Sequence, residues 1–598
     1  MSSRAAHRAD AGRALAERVA DAAARALDVR ITPEQAVIRE AGRDWDFDYQ
    51  CNAAMALAKR LGRPSRELAE ELAAALQVDD LCEPPAVAGP GFINLRLRSD
   101  WLGERVAGML EDPRLGVPLR DDAARVVLDY SGPNVAKEMH VGHLRSTIIG
   151  DALARLLRFG GHEVVAQNHI GDWGTPFGML IEHLLDEGGA ERAERHAIGD
   201  LGDFYRAARV KFDSDESFAG RARARVVALQ GGDTATIELW RTLVAESERH
   251  FQQVYDLLGV QLGPQDVVGE SAYDAQLADV ADELVGLGLA VDSDGALCVF
   301  PRGFTGREGH PLPLIVRKSD GAYSYDTTDL AALRHRVRDL GAGELLYVVG
   351  TPQRLHFELV FAVGHEAGWL GQAAEARHVA FGSVLGEDGK MLRTRAGEPV
   401  RLIDLLEEAV QRAGGVLAER GALDGDVDAD ALARSIGVGA VKYADLSSDR
   451  EKDYVFSFER MLSLEGNTSV YLQYANARAC SVLRRAGEER TKAVAVDLAE
   501  DAERELALVL LRLPAAVEAT LGDLRPHKLT AYLYGLAVAF SAFYEACPVL
   551  GASTSQLRSS RLALCDATSR VLTLGLGLLG IDAPERLSSP PARAADGG

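Results

Sequence analysis

The sequence predicts an α/β protein with a parallel-sheet domain in the middle, a small α/β module before it and an all-α last third. Three observations carry this. A chain of 598 residues exceeds what one hydrophobic core organises, so several domains are expected. Residues 125–166 run strand, loop, helix, strand, the opening of a parallel sheet of the nucleotide-binding kind. From about residue 404 onward every strong apolar period is near 3.6 residues, as in a helical bundle.

The first module spans residues 1–115. Residues 11–29 are alanine-rich with charges at helical spacing, an amphipathic helix. A second helical stretch reaches about Leu76, and Gly89-Pro-Gly-Phe-Ile-Asn94 leads through a tight turn into a strand carrying Leu95 and Leu97. The stretch around Asp112-Pro-Arg114 and Val117-Pro118 reads as a linker.

The central domain spans residues 120–403. Arg125–Tyr130 is a short buried strand, broken by Ser131-Gly-Pro-Asn134. A helix starts near His140, runs through Leu144, Ile148, Leu153 and Leu157, and stops at Gly160-Gly161 before a strand at Val164–Ala166. Residues of about 182–310 are charged and mostly helical, an insertion between two halves of the sheet. Pro313–Arg317 and Leu345–Val349 are further strands. Residues 404–587 form the bundle, and the Ser/Pro/Gly-rich residues 588–598 are expected to be disordered.

Composition narrows the class. Hydrophobic residues are 47% and charged residues 26%, ordinary for a soluble globular chain. The net charge of −23 disfavours wholesale nucleic-acid binding but leaves room for a local basic groove. Six scattered cysteines form no C-x-x-C pair, which points to a reducing cytoplasm rather than to disulfides or structural zinc. No signal peptide or membrane span is read, since the longest apolar run, Val571–Ile581, is too short to cross a bilayer.

The chemistry centres on His140-Val-Gly-His143. Two imidazoles three apart at a helix start share a face, the helix N-terminus adds partial positive charge and free N–H groups, and Gly142 lets a ligand approach the backbone. This suits attack on an α-phosphate, where charge developing on oxygen must be stabilised. The four residues alone also fit two satisfied histidines; their placement after a strand, Pro133 and Asn134 favours a site. Lys137, in the preceding loop, reaches as a point charge toward a phosphate, or is a solvated lysine.

Longer blocks are more specific. Asp129–Asp151, Asn168–Ile181, Val316–Gly321 with Tyr325–Asp329, Ala440–Ser448, Glu465–Ala475 and Phe543–Leu550 resemble, in order, the arginyl-tRNA synthetases, the first block holding their form of the class I HIGH motif. The resemblance runs from about residue 44 to 587. It implies a Rossmann-type catalytic domain with a helical insertion, an N-terminal tRNA-binding domain and a C-terminal helical anticodon-binding domain. It implies activation of L-arginine with ATP and Mg2+ to arginyl-adenylate, then transfer to the 3′ end of tRNA(Arg), with activation dependent on bound tRNA.

By family position, His140, Gly142, His143 and Lys137 bind ATP and act in catalysis. Gly389-Lys-Met-Leu-Arg-Thr-Arg-Ala-Gly397 resembles a degenerate KMSKS loop, with Lys390 at the first lysine and Arg393 where the second stands. Arg in place of Lys exchanges a compact ammonium for a planar fork. Tyr325 and Asp329 are expected to hold the arginine side chain, with Asp129, Ser131, Asn134 and Gln353 fixing the rest. Taken alone, Tyr325 and Asp329 fit equally a core tyrosine and a helix-surface aspartate. Tyr471, Gln473, Tyr474 and Arg478 supply the mixture of stacking and edge hydrogen bonds that reads RNA loops, and also fit a bundle core. Phe47-Asp-Tyr-Gln50 departs from the family's Phe-Gly-Asp-Tyr-Gln by lacking the glycine.

No dedicated protein metal site is expected, and a monomer is. The competing readings are a paralogue with the same chemistry serving secondary metabolism or resistance, a nucleotidyltransferase that does not use RNA, and a non-enzymatic tRNA-binding relative. Intact His140, His143, Lys137 and Asp329 count against the last.

Overall fold

The computed structural model describes residues 11–42, 45–174, 176–188, 201–306, 309–394, 398–419, 428–487 and 496–587. The tail at 588–598, expected to be disordered, lies outside the described residues.

The N-terminal module opens with α1 (Ala11–Leu27), whose Leu15, Val19, Ala22 and Ala23 recur at helical spacing and are buried. Strands β1 (Ile38–Glu40) and β2 (Tyr49–Cys51) precede α2 (Ala53–Leu61) and α3 (Ser65–Ala75). The hairpin β3 (Ala86–Ala88) and β4 (Phe92–Leu95) completes an antiparallel sheet of order β1-β2-β4-β3. Helix α4 (Ser99–Glu111) leads to the central domain.

That domain is built on β5 (Arg125–Asp129), α5 (Val141–Gly160) and β6 (Glu163–Gln167), the βαβ unit expected from sequence. The chain then runs through α6 (Pro176–Asp186), α7 (Leu201–Ser214), α8 (Glu216–Gln230), α9 (Thr234–Leu258) and α10 (Leu277–Gly286). Strands β7 (Ala290–Ser293), β8 (Ala296–Val299) and β9 (Leu314–Arg317) form a separate antiparallel sheet. The strand expected at Pro313–Arg317 therefore exists but pairs outside the parallel sheet. Helix α11 (Tyr325–Arg338) returns the chain to β10 (Glu344–Tyr347), followed by α12 (Arg354–Glu366) and β11 (Glu375–His378).

The parallel sheet has the order β11-β10-β5-β6. Its strands alternate faces. Val126, Leu128 and Leu346 join the core that includes Leu144 and Ile148 of α5, while Val127, Leu345 and Tyr347 join a second core with Leu330 of α11 and Val360 of α12. From β5 the chain crosses to β6 on one side, whereas β10 and β11 lie on the other. The carboxyl ends of β5 and β10 thus flank the topological switch point, where α/β ligands bind.

The last third holds α13 (Leu402–Glu419), α14 (Ala429–Leu446), α15 (Phe458–Met461), α16 (Ser469–Ala486), α17 (Asp501–Leu510), α18 (Leu513–Asp523), α19 (His527–Ala546) and α20 (Ser555–Leu578). One exception to its helical character is a two-residue strand, Tyr454–Val455, parallel to Val384–Leu385 of the central domain.

Buried charges tie the parts together. Arg145 of α5 reaches Asp445 of α14 at 3.2 Å, both sealed from solvent, and donates to the Lys452 carbonyl at 2.8 Å. Lys442, one turn before Asp445, donates to the Leu258 carbonyl at the end of α9 at 2.8 Å. Asp48 of the N-terminal module pairs with Arg504 of α17 at 2.6 Å and accepts the Leu97 N–H. The helix that carries the H-x-G-H corner is therefore bolted directly to the bundle.

Candidate active site

His140 is the N-cap of α5 rather than part of the helix, which amends the expectation of two histidines on one helical face. The capping is reciprocal. His140 Nδ1 accepts the Gly142 N–H at 3.0 Å, and His143 Nδ1 accepts the His140 N–H at 3.1 Å. These bonds fix both tautomers, so each ring keeps its proton on Nε2. The ring centroids are 4.2 Å apart. Burial lowers the pKa of His143 to about 3, with His140's field adding, and burial with Lys137 lowers that of His140. Both are neutral hydrogen-bond donors at physiological pH.

Two further expectations change here. A β-carbon on Gly142 would lie 2.7 Å from His140 Cε1, so the glycine makes room for the imidazole itself. The first N–H groups of α5 are also engaged: Val141 donates to the Val400 carbonyl, Gly142 to His140 Nδ1 and His143 to the His140 carbonyl. The Nε2–H groups, rather than free backbone amides, are the donors this corner offers an anion.

The loop before the corner is strained and clamped. Ser131 and Ala136 hold φ of 76° and 59°, left-handed values costly for side-chain-bearing residues. The block Asn168–Asp172 holds this loop. Asn168 Oδ1 accepts the Gly132 N–H, Gly171 donates to the Pro133 carbonyl, and Val135 donates to the Gly171 carbonyl. Asn134 sits exposed at this junction. Ser131 is buried, and its hydroxyl is committed to Tyr255 Oη at 2.7 Å and Thr147 Oγ1 at 3.0 Å.

The same block borders an acidic pocket. The Ile170 carbonyl accepts the Glu270 N–H, Asp172 accepts the Ser271 N–H, and His169 Nε2 stands 3.9 Å from Asp329 Oδ1. Tyr325 and Asp329 lie four apart at the start of α11, on one face as expected. Tyr325 is 66% exposed. Glu270 carries the pocket's largest carboxylate shift: burial and the fields of Asp329 and Asp172 push it up to about 7. Asp326 and Asp329 share one cation, His356, at 3.1 and 2.6 Å.

Asp129 and Gln353 come from the strand ends flanking the switch point. Gln353 is exposed in a 3-10 turn after β10. Asp129, at the end of β5, forms a 2.8 Å ion pair with Arg336, outside good hydrogen-bond geometry. Arg336 also donates to Gln167 Oε1 at 2.6 Å and lies over the Tyr347 ring. Burial opposes its charge most strongly, and the field of Asp129 together with Tyr347 and Tyr273 outweighs that and raises its pKa. Asp129 is thus already the counter-ion of a buried arginine.

The loop bearing Lys390 and Arg393 doubles back on itself. Lys390's carbonyl accepts the Gly386 N–H, Arg393 bridges to Pro399, and Val400 and Leu402 pair with Val141 and Met139 beside the corner. Lys390 and Arg393 are exposed. Lys137 is exposed, with Nζ 4.8 Å above the Tyr205 ring of α7.

On α16 the four expected RNA contacts divide. Arg478 stacks between Tyr474 at 4.7 Å and Tyr544 at 4.9 Å, a half-exposed cation–π sandwich. Tyr471 is half-buried against Ser541 and Tyr534. Gln473 departs from the expectation. It is fully buried and donates to the Asp582 and Ser435 carbonyls, so no base reaches it.

The reading from sequence missed Asp326, Glu270, His169 and His356. His356 follows Gln353 by three residues, and Asp326 adjoins Tyr325, so both were within reach of helical spacing. Glu270 lies in a stretch without pattern, and only the fold brings it to Asp329.

Comparison with known proteins agrees along the chain. Residues 105–458 match the catalytic domain of class I tRNA synthetases (R), residues 472–587 the DALR anticodon binding domain, and residues 13–97 the arginyl tRNA synthetase N-terminal domain. An arginine–tRNA ligase of Thermobifida fusca is 54% identical over 90% of this chain and 94% of its own. That of Frankia casuarinae is 52% identical over 96% and 99%. Among solved structures, the arginyl-tRNA synthetase of Plasmodium falciparum superposes with a TM-score of 0.82 at 30% identity, over 96% of this chain and 98% of its own. That of Thermus thermophilus gives 0.79 at 28%, over 97% and 100%. These relatives lend no support to a nucleotidyltransferase or to a paralogue with a separate role.

Proposed function

The chain belongs to the class I arginyl-tRNA synthetases and is an arginine–tRNA ligase of translation, and from that premise we propose how its residues divide the work. The observation that carries the proposal is the juxtaposition, across the Asn168–Asp172 block, of a neutral imidazole corner and an acidic pocket.

The pocket takes the arginine. Asp329 and Glu270 accept the guanidinium N–H groups and Tyr325 covers the side chain, while Asn134 and Gln353 hold the α-amino end. A lysine ammonium lacks the planar fork and leaves a half-buried carboxylate half-paired, which is how such a site discriminates by roughly 10⁴–10⁵. Asp129 supports the pocket through Arg336 rather than touching the substrate, and Ser131 acts through its backbone.

The corner takes ATP. An arginine carboxylate oxygen attacks the α-phosphorus, the bond to the bridging oxygen breaks, and pyrophosphate leaves. The Nε2–H groups of His140 and His143 hydrogen-bond phosphate oxygens as their charge grows. Lys137, Lys390 and Arg393 add positive charge along the triphosphate, Lys137 leaving Tyr205 to do so. Imidazole, ammonium and guanidinium groups around the corner suit phosphate and are not the oxygen ligands that Mg2+ takes, so Mg2+ is assigned to the ATP itself. In the second step the terminal ribose hydroxyl of tRNA(Arg) attacks the adenylate carbonyl carbon and AMP departs. Tyr474 and Arg478 are assigned to stacking on anticodon bases.

A monomeric enzyme working in the cytoplasm completes the proposal; six buried cysteines, none in a disulfide, suit a reducing compartment. Among the described residues no helix is long and apolar enough to cross a membrane. The test of the assignment is charging of tRNA(Arg) with labelled arginine by single variants. His143→Ala and Asp329→Ala should both abolish most charging, the first through turnover and the second through arginine KM. Loss of the same constant in both contradicts the division of labour.

A further inference from the structure

His356 is the cation between the two carboxylates of α11. Its Nε2 lies 2.6 Å from Asp329 Oδ2 and its Nδ1 3.1 Å from Asp326 Oδ1. A neutral imidazole has one N–H, so two carboxylate partners require both nitrogens to donate. The ring also lies 5.3 Å from that of Tyr325. His356 is therefore beside two of the residues assigned to the arginine side chain, Asp329 and Tyr325, without being assigned to it itself.

We propose that His356 is the positioning residue for arginine selection, anchoring one oxygen of Asp329 so that the other faces the guanidinium. The inference rests on the reading that Asp329 binds that group. Two physical consequences of the bridge support it. An unanchored carboxylate rotates about its last torsion, and holding Oδ2 removes that freedom. Oδ1 is left 3.9 Å from His169 Nε2, beyond hydrogen-bond range and open to an incoming donor.

The second consequence is charge. Asp326 and Asp329 sit one turn apart on α11, and the field of Asp329 reaches Glu270. Without a cation between them, Asp326 and Asp329 stand as like charges one turn apart with their repulsion uncompensated. Burial opposes the charge on His356, but the hydrogen bonds to Asp326 and Asp329 raise its pKa to about 9. The imidazolium offsets the charge of Asp326 and Asp329 before arginine arrives, while Glu270, which it does not touch, is left for the guanidinium to pair.

The experiment measures ATP–pyrophosphate exchange at saturating tRNA for wild type, H356Q, H356N, D329N and the D329N/H356Q double variant, between pH 6.5 and 8.5. Expected for H356Q and H356N at pH 7.5 is a rise in arginine KM of about tenfold, with ATP KM within twofold and an unchanged melting profile. Their arginine KM should climb further as pH falls, while that of wild type changes less. The double variant should be no worse than D329N, because both changes remove one interaction. If D329N raises arginine KM but H356Q and H356N leave it within twofold, or if losses in the double variant multiply, the positioning role is overturned. If D329N itself leaves arginine KM unchanged, the underlying reading of the pocket fails.

Discussion

Asp129 offers the sharpest contrast between a substrate contact and a structural strut. The perturbation is Asp129→Ala. Arg336 would remain 1% exposed with no carboxylate to balance its charge, leaving only neutral neighbours, the Gln167 amide oxygen and the Tyr273 and Tyr347 side chains. Deleting one partner of a buried ion pair costs about 3–5 kcal/mol, since the stranded charge keeps its desolvation penalty. Asp129→Asn preserves shape and an acceptor and should cost about half as much. Removing both charges together, as Asp129→Leu with Arg336→Met, should restore most of the loss. Urea unfolding provides the readout, compared as midpoints because a multidomain chain need not unfold in one step. The expected order of midpoints is wild type, then the double variant, then Asp129→Asn, then Asp129→Ala. Arginine KM of folded Asp129→Asn should stay within about threefold of wild type, less than the loss of a charge-assisted contact. An Asp129→Asn protein as stable as wild type but with arginine KM raised tenfold or more would refute the strut.

Asp329→Ala should lower kcat/KM for arginine by about 10²–10³, the range for truncating a hydrogen-bonded charge pair, with ATP KM near wild type; steady-state exchange kinetics show whether the two move together. His143→Ala should reduce the rate of adenylate formation by about 10²–10³ with small changes in KM, measured in single turnovers, as for loss of a donor used in the transition state. Glu270 stands raised to about 7 from 4.5, so between those values the folded protein binds more protons than the unfolded one, and stability contributed by this group falls as pH rises. Binding of a guanidinium requires the ionised form, so arginine binding should release a proton and weaken below pH 7. Titration calorimetry in two buffers of different ionisation heat detects that proton, and its absence contradicts Glu270's assignment. Tyr474→Ala should raise tRNA KM by about 5- to 100-fold through lost stacking, whereas Gln473→Leu should lower thermal stability and leave tRNA KM little changed in the folded protein.

The elements that sequence predicts well are those whose patterns are local. The βαβ unit at Arg125–Gln167 announces itself by a buried run, a breaking loop and a glycine stop, and it forms as read. The C-terminal helices likewise follow from their period. Pairing is not local: Leu314–Arg317 has strand character, but only the neighbouring hairpin determines that it pairs with β8 instead of the parallel sheet. The site divides in the same way. The H-x-G-H corner and the Tyr325–Asp329 turn are contiguous segments; the second lies on one helical face as the spacing places it, while in the first His140 caps the helix instead of joining it.

What stayed hidden depends on who occupies each group. The backbone amides of α5 look available in the sequence, yet Val400 and His140 have taken them. Asp129 reads as a free carboxylate until Arg336 arrives from a helix more than two hundred residues later. Gln473 has the chemistry of an RNA contact, but tertiary packing spends its amide on the chain's own carbonyls. Glu270 and His356 acquire their meaning from charges contributed by other elements, which no motif records.

The central claim is that this fold activates arginine at the switch point between β5 and β10. ATP–pyrophosphate exchange with each of the twenty amino acids, with and without tRNA(Arg), tests it most directly. The account predicts exchange with arginine alone among them, appearing when tRNA is added and lost in Asp329→Ala. Exchange driven by another amino acid, or an Asp329→Ala enzyme that still exchanges with wild-type arginine KM, would contradict it.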